Sequence, residues 1–329
     1  MNESRPRYGV YAFFKNHESL IKDFLNSVRD ADEIILCDAG STDGSKSMIE
    51  KYITEHPILN IRTFSVYIDP WRYDDIRNIG LSLMSPSIDL CLSLDIEERL
   101  VPEWKSIIDS YYDSETAGYE CCVEEETEGL VNIITECRIH RNRGCFWKYP
   151  IFEELIFDDS DKTSQIPHVI IKRSCKKYQY DIVGLLNRYI KEHPYSWIPL
   201  WRLAQVFLDK KNFQDAHDAV ERALKLNGCD KAKLYELKAG ICLSEGHPKE
   251  ALRYINKAIS YKDEWKLYLE KARILSGMGC HTEAYSSLLE AKRYYTDSMS
   301  HSPSITNSYS ELETFLTSEK KLALEEIST

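Results

Sequence analysis

The sequence predicts two folds in series: an α/β domain built on a parallel sheet, then an all-α domain of helical hairpins. Three observations carry this. Short apolar runs without polar alternation recur at residues 8–14 (YGVYAFF), 34–37 (IILC) and 88–94 (IDLCLSL), the composition of strands covered on both faces, and helical stripes lie between them. The second and third runs each lead straight into an aspartate, Asp38 and Asp95, and in open α/β sheets the C-terminal ends of parallel strands border the ligand crevice. In the second half, small residues repeat: Ala204, Ala239 and Ala272 stand 35 and 33 residues apart, and Ala216, Ala251, Ala284 and Ala223, Ala258, Ala291 keep the same intervals.

Composition bounds what such a chain can do. At 329 residues, 43% hydrophobic and 29% charged, it has the make-up of a globular protein with room for more than one domain. No apolar run reaches the ~20 residues of a membrane span, and the start, MNESRPRYG, has no apolar core of a signal peptide, so a cytoplasmic location is expected. Ten cysteines stand without a C-x-x-C pair or a zinc-type spacing, and buried free thiols are the expectation. The net charge of −11 lies ahead of the repeats, while residues 194–295 carry 17 Lys+Arg against 13 Asp+Glu. An acidic first half argues against a broad grip on phosphate backbones.

Taken in order, the first strand leads into a loop, KNHE, and a helix that Ser19 can cap, with Leu20, Ile21, Phe24, Leu25 and Val28 on one face. The strand ending at Asp38 runs into AGSTDGS, where Asp43 or Ser45 can cap a helix with the stripe Met48, Ile49 and Tyr52. A strand at 60–66 (NIRTFSV) and a helix around Asp75 to Asn78 follow. The run 88–94 then gives way to Asp95-Ile96-Glu97; alternate residues of an extended segment share a side, so Asp95 and Glu97 are expected to face one ligand together. Carboxylate oxygens are the donors that Mg²⁺ and Mn²⁺ prefer. Segments 118–125 and 130–140 read as strands joined through Glu-Thr-Glu-Gly, and the aromatic stretch GCFWKYPIFEELIFD carries the pair Glu153 and Glu154. A carboxylate among Phe146, Trp147, Tyr149 and Phe152 would be partly desolvated, which suits a general base.

The turn Asp38, Gly40, Ser41, Thr42, Asp43, Gly44 resembles the D-x-G-S-T-D-G hallmark of the family-two inverting glycosyltransferases. That resemblance implies the GT-A fold, a Rossmann-like nucleotide-diphospho-sugar transferase domain. It implies further that Asp38 and Asp43 belong to the nucleotide-sugar site and that Arg77, in a segment similar to the family's Ala-Arg-Asn helix start, assists the phosphates. Asp95 and Glu97 stand where such enzymes carry the D-x-D pair, implying a bound Mn²⁺ or Mg²⁺. The family's Asn-Glu after the first strand is Asn16-His17 here, with Glu18 one place later, and Phe152 takes the place of a family His just before Glu153-Glu154. Where relatives have a later His as a third metal ligand, this chain has Arg173 or Ser174, and His168 falls several residues early. Glu153 is the expected base, with Glu154 as its neighbour.

The alanine registers, 12 and 7 residues apart within each repeat, follow the tetratricopeptide pattern, in which small residues let two antiparallel helices pack closely. Tyr235 and Tyr268 precede the first alanine by four, and Gly246 and Gly279 fall at the helix turns. Such repeats stack into a superhelix with a concave groove for peptides or protein segments. The expected organisation is a catalytic domain over 1–180, repeats over 181–295, and a linker (296–310) with a capping helix (311–327) closing the chain. The combination is similar to a group of bacterial and phage glycosyltransferases that includes enzymes acting on cysteines of ribosomally made bacteriocin peptides. It implies an inverting transfer from a nucleotide-diphosphate sugar to a peptide or protein acceptor held at the repeats. The other acceptors weighed are a modified base of phage DNA and a surface glycan or lipid carrier. A repeat scaffold without activity is the non-enzyme reading.

Overall fold

The computed structural model describes residues 5–127, 130–174, 181–299 and 306–328, and the chain divides into two units, Met1–Leu185 and Leu186–Thr329. The first unit runs β1 (Tyr8–Phe14), α1 (Glu18–Val28), β2 (Glu33–Asp38), α2 (Ser45–Glu55), β3 (Ile61–Ser65), α3 (Tyr73–Ser82), β4 (Leu90–Asp95) and β5 (Glu98–Leu100). It continues with α4 (Trp104–Asp109), β6 (Thr116–Thr127), β7 (Leu130–Arg141), β8 (Cys145–Lys148), β9 (Glu154–Phe157) and β10 (Lys162–Ser174).

Eight of these strands form one sheet in the order β3-β2-β1-β4-β7-β6-β10-β5, and β8 and β9 form a separate hairpin. The β1, β2, β3 and β4 strands are parallel, the unbroken apolar runs of β1, β2 and β4 fitting burial on both faces while β3 (IRTFS) lies half-exposed at the sheet's edge; β7 lies antiparallel to both β4 and β6. Successive side chains of β1 go to opposite faces. Tyr8, Val10, Ala12 and Phe14 enter a core that holds Ile21, Phe24, Leu25 and Val28 of α1, while Tyr11 enters a second one with Ile76 and Leu81 of α3. Each such fully buried side chain contributes about 1.5–3 kcal/mol, so both faces fix the sheet edge that matters below. In the register, Phe14 pairs with Asp38 and Phe13 with Asp95, so the two aspartates flank the C-terminal end of β1 on its two sides.

Two local expectations differ. The α1 helix begins at Glu18 and no side chain caps it, because the chain entering it is tied down elsewhere: the His17 amide donates to Ser45 Oγ at 2.9 Å. After Asp95 the chain does not stay extended; Ile96 and Glu97 form a turn into β5, so alternation does not set the direction of Glu97.

The second unit is helical. α5 (Ile182–Glu192), within which the division falls, precedes α6 (Ile198–Asp209), α7 (Phe213–Leu224), α8 (Lys231–Ser244), α9 (Pro248–Ile259), α10 (Trp265–Gly277), α11 (His281–Met299) and α12 (Thr306–Ser328). The pairs α6/α7, α8/α9 and α10/α11 are helical hairpins at the places the alanine registers predict, and all nine register alanines are buried. Gly246 and Gly279 close α8 and α10 with φ of +81° and +77°, the left-handed position that glycine takes at no steric cost. In the first hairpin the same position is Lys211, at φ +56°.

The stretch expected as a linker is helical at 296–299 and from Thr306 onward, and residues 300–305 lie outside the described part. Packing overrides the serine-rich composition: Leu312, Phe315 and Leu316 of α12 join Trp265, Leu288 and Tyr295 in one cluster, covering the last hairpin as a cap should. Leu324, farther along α12, is exposed. The Glu128-Gly129 part of the predicted hairpin connection, and Cys175, also lie outside the described residues. Among the described residues no helix is long and apolar enough to cross a membrane.

Candidate active site

The edge of the sheet at the end of β1 gathers most of the predicted residues. Asp38, 3% exposed, accepts from the Ser41 amide at 2.8 Å, and its second oxygen lies 2.8 Å from Lys46 Nζ. Burial works against the charged form, but the Lys46 ammonium and the Ser41 donors outweigh it and hold this carboxyl below its ordinary value. Gly40, at φ +90°, makes the turn that brings Ser41 back onto Asp38. Phe14, Asp38, Lys46, Thr63, Phe64 and Ser65 line a pocket of about 140 Å³ there.

Asp43 accepts from the amides of Ser45 and Glu18, at 3.0 and 3.1 Å, and its charged form is held by the Ser45 hydroxyl above all. Glu18 in turn accepts from the Gly44 amide at 3.1 Å. The carboxylate that stands one place late in sequence thus sits at the start of α2, where a Cβ on Gly44 would fall 2.3 Å from it. Asn16 completes the loop pair, its Oδ1 accepting from the Thr42 amide at 2.7 Å.

On the other side of β1, Asp95 is buried in an ionic network. Arg77 donates from Nη2 to Asp95 Oδ1 (2.6 Å), from Nε to Glu153 Oε1 (2.7 Å) and from Nη1 to Ser93 Oγ (2.8 Å). Burial opposes the charge of this guanidinium, yet Asp95 and Glu153 outweigh that cost, and its flat faces lie over Phe13 and Trp147 at 5.5 and 5.1 Å. With 2% exposure and three protein acceptors, Arg77 is placed to hold two carboxylates together, unlike the phosphate-facing arginine read from the sequence. The adjacent Asn78 pins Trp147 through both backbone groups, at 2.7 and 2.8 Å. One turn of α3 thereby fixes the segment leading to Glu153.

Behind Asp95, Arg138 bridges Glu98 (2.9 Å) and Glu136 (2.7 Å), and lies 3.8 Å from Asp95. Arg173 spends its donors on Glu125, Glu98 and Glu136 rather than on an open site. Burial, with Asp95 beside it, pushes the Glu98 carboxyl up against the pull of Arg138. Glu136 is also penalised by burial, but the two arginines bring it down to about 2. His168 is far from this arrangement in role, bonded to the Tyr111 hydroxyl on the exposed side.

Glu97 points elsewhere. Its Oε1 lies 3.0 Å from His17 Nε2, and because His17 Nδ1 accepts from the Lys15 amide, Nε2 carries the proton and donates. Its side chain is 41% exposed, against 7% for Asp95. The donors are of the kind a divalent ion takes, hard carboxylate oxygens at the end of β4, but Glu97 faces His17 and Asp95 shares its charge with two guanidiniums, so holding one ion together requires Glu97 to turn away from His17.

Glu153 is buried, with a side chain 4% exposed, and its partner is the Arg77 guanidinium; Phe146, expected in an aromatic wall around it, is exposed. The loop holding it carries two left-handed residues, Tyr149 (φ +79°) and Phe152 (φ +53°), a costly backbone that only dense packing maintains. Glu154 starts β9 opposite Lys148 and belongs to that hairpin. The structure therefore joins Arg77, Asp95 and Glu153, sets Asp38 and Asp43 across β1, and keeps Glu97 and Glu154 in separate contacts. Sequence reading missed Lys46, Ser93, Glu98 and Arg138; only Lys46, eight residues after Asp38 on the next helix, stood near a recognised turn.

In the second unit, α6, α8 and α10 present a groove of about 370 Å³ lined by Trp201, Lys233, Glu236, Leu243, Glu270 and Ile274 among others. Burial and the neighbouring Glu270 and Glu264 raise Glu236, while Lys233 lies over the Trp201 ring at 5.4 Å.

Residues 10–66 match the family model of glycosyl transferase family 2, a span from β1 through β3 that includes Asp38 and the Asp43 turn. Among solved structures, the chain resembles the Yersinia enterocolitica type III secretion chaperone SycD in complex with a peptide of the translocator YopD. Identity is 17%, covering 37% of this chain and 89% of that one, with a TM-score of 0.32. MamA matches at 16% identity over 44% of this chain and 86% of its own, with a TM-score of 0.32. A thermophilic TPR protein of Thermus thermophilus matches at 13% identity over 41% and 71%, with a TM-score of 0.35.

Proposed function

We propose that this protein is an inverting glycosyltransferase that moves a sugar from a nucleotide-diphosphate donor to a peptide or protein acceptor. The observation that carries the reading is the pair of buried aspartates flanking the end of β1, one of them beside a pocket and within the segment matching glycosyl transferase family 2. The nucleoside lies against Asp38, in the pocket between Lys46, Phe64 and Ser65, with Asp43 shaping the turn below it. Asp95 and Glu97 are the residues that would hold a Mn²⁺ or Mg²⁺, which would offset the charge of a departing diphosphate.

Glu153 takes the proton from the acceptor's nucleophilic atom. That atom's electron pair forms the new bond to the anomeric carbon from the face opposite the diphosphate, and the carbon–oxygen bond to phosphate breaks with its electrons leaving on the nucleotide. Arg77 is a positioning residue: it fixes the Glu153 carboxylate relative to Asp95, so base and leaving-group side keep a set geometry. The acceptor reading rests on the groove of the repeats, where Trp201 and the acidic pair Glu236 and Glu270 suit an extended peptide with a basic side chain.

The test is transfer from a panel of nucleotide sugars to peptide mixtures with purified full-length chain, followed by mass spectrometry. Asp95→Asn is expected to abolish both transfer and donor hydrolysis while the circular dichroism spectrum is kept. Transfer by Asp95→Asn at the parental rate removes the site assignment, and no transfer to any peptide beside efficient transfer to DNA replaces the acceptor class.

A further inference from the structure

The second unit contains a cluster that the proposed reaction does not use. His217 on α7 and Cys242 and Glu245 at the end of α8 place Nε2, Sγ and a carboxylate oxygen within 4.8 Å of one another. His217 Nε2 and Glu245 Oε2 are 2.9 Å apart, and His247 Nδ1 stands 4.0 Å from the same Glu245 oxygen. Four ligand-type side chains thus converge at the junction of α7 with the α8–α9 turn.

Comparison with the neighbouring repeats shows that the fold does not call for His217, Glu245 or His247, while Cys242 fills a core position. Stepping by the alanine register, His217 corresponds to Leu252 and Tyr285, and Cys242 to Phe207 and Leu275. Glu245 corresponds to Lys210 and Met278, and His247 to Asn212 and Cys280. At the next interface the places of His217 and Glu245 are taken by Leu252 and Met278, both packed against an apolar cluster. One junction therefore replaces an apolar contact with a half-buried imidazole and carboxylate, and sets them within ligand distance of the buried Cys242 thiol, which also packs against Ala239, Ala251 and Ile255.

We propose that His217, Cys242, Glu245 and His247 form a structural Zn²⁺ site that ties α7 to the α8–α9 turn. A sulfur, two imidazole nitrogens and one carboxylate oxygen are the ligands zinc takes in tetrahedral sites, where Zn–N, Zn–O and Zn–S lengths put neighbouring ligand atoms about 3.4–3.8 Å apart. The first three are within that reach after small side-chain rotations, and His247, 61% exposed, turns in from the surface to complete the set. On binding, the Cys242 Sγ–H bond breaks, its proton goes to solvent, and the thiolate pair is given to the metal. The spacing C-x-x-E-x-H, with its fourth member on the preceding helix, lies outside the cysteine-pair patterns by which zinc is read from sequence, which is why the sequence alone gives no zinc expectation.

The test uses metal-stripped full-length chain titrated with Zn²⁺, and with Co²⁺ as a spectroscopic probe. One equivalent is expected to bind with a thiolate-to-cobalt charge-transfer band in the near ultraviolet, which the carboxylates Asp95 and Glu97 cannot produce, and with a raised melting temperature. Cys242→Ala should remove the band and weaken Zn²⁺ binding at least 100-fold; Glu245→Gln should weaken it at least 10-fold with the helical circular dichroism unchanged. Glu97→Gln, at the sheet edge of the other unit, should leave the band intact. Absence of the band in the parent, or a band of the same strength in Cys242→Ala, overturns the proposal.

Discussion

Replacing Arg77 with methionine removes one guanidinium and little volume, and its consequences follow from the contacts. Asp95 and Glu153, with side chains 7% and 4% exposed, lose the cation at 2.6 and 2.7 Å that offsets their charge. Removing one partner of a buried ion pair costs about 3–5 kcal/mol, which for a unit of this size lowers the melting transition by roughly 6–20 °C. The loss should depend on pH in a stated direction. Without Arg77 the two carboxyls titrate higher in the folded than in the unfolded chain, so the variant binds more protons when folded, and its stability falls as pH rises above the usual carboxylate range. Denaturant unfolding of parent and variant at pH 5 and pH 8 measures this. The deficit should be smaller at pH 5, and Arg77→Met with Glu153→Gln should recover part of it. A deficit below about 1 kcal/mol at both pH values, against the range for buried pairs, would refute the view that Arg77 exists to hold these carboxylates.

Three other outcomes follow. Burial lowers His140 to about 4, where its neutral Nε2 accepts from the Tyr11 hydroxyl; the unfolded chain then binds the extra proton, and stability falls by about 3 kcal/mol as pH drops from about 6.5 to 4, a slope that His140→Gln should abolish in pH-dependent urea unfolding. Lys211→Gly, which gives the first hairpin the residue its two sister hairpins have at a left-handed position, should stabilise the repeat unit by about 0.5–1 kcal/mol, read as a higher urea midpoint; a lower midpoint contradicts the turn argument. Glu97→Gln should cut transfer about 10-fold or more and raise the Mn²⁺ concentration for half-maximal rate; an unchanged metal titration would take Glu97 out of the metal site.

Much of the fold was legible because its determinants are local. Unbroken apolar runs marked β1, β2 and β4, and nine alanines at fixed intervals marked the hairpins, since only small residues fit where two helices touch. The linker was misread because serine content speaks of local propensity, whereas Leu312, Phe315 and Leu316 are held by residues far away in sequence. For the site, positions at strand ends were readable and partners were not. Nothing near Asp95 in sequence announces Arg138, which arrives from an antiparallel strand, or tells that Glu97 turns toward His17. Arg77 was recognised as special, but whether a guanidinium meets phosphate or carboxylate depends on which loop covers it, and that loop comes 76 residues later with Glu153.

The most direct test of the central claim is the melting temperature of the first unit's transition in full-length chain against nucleoside diphosphates and their sugar conjugates, with and without Mn²⁺ or Mg²⁺, run beside Asp38→Ala. Stabilisation by one nucleotide, increased by the ion and lost in Asp38→Ala, is the predicted result, since a ligand of the folded state raises stability by mass action. No stabilisation by any of them, or one that Asp38→Ala retains in full, would contradict the account of this sheet edge as a nucleotide-sugar site.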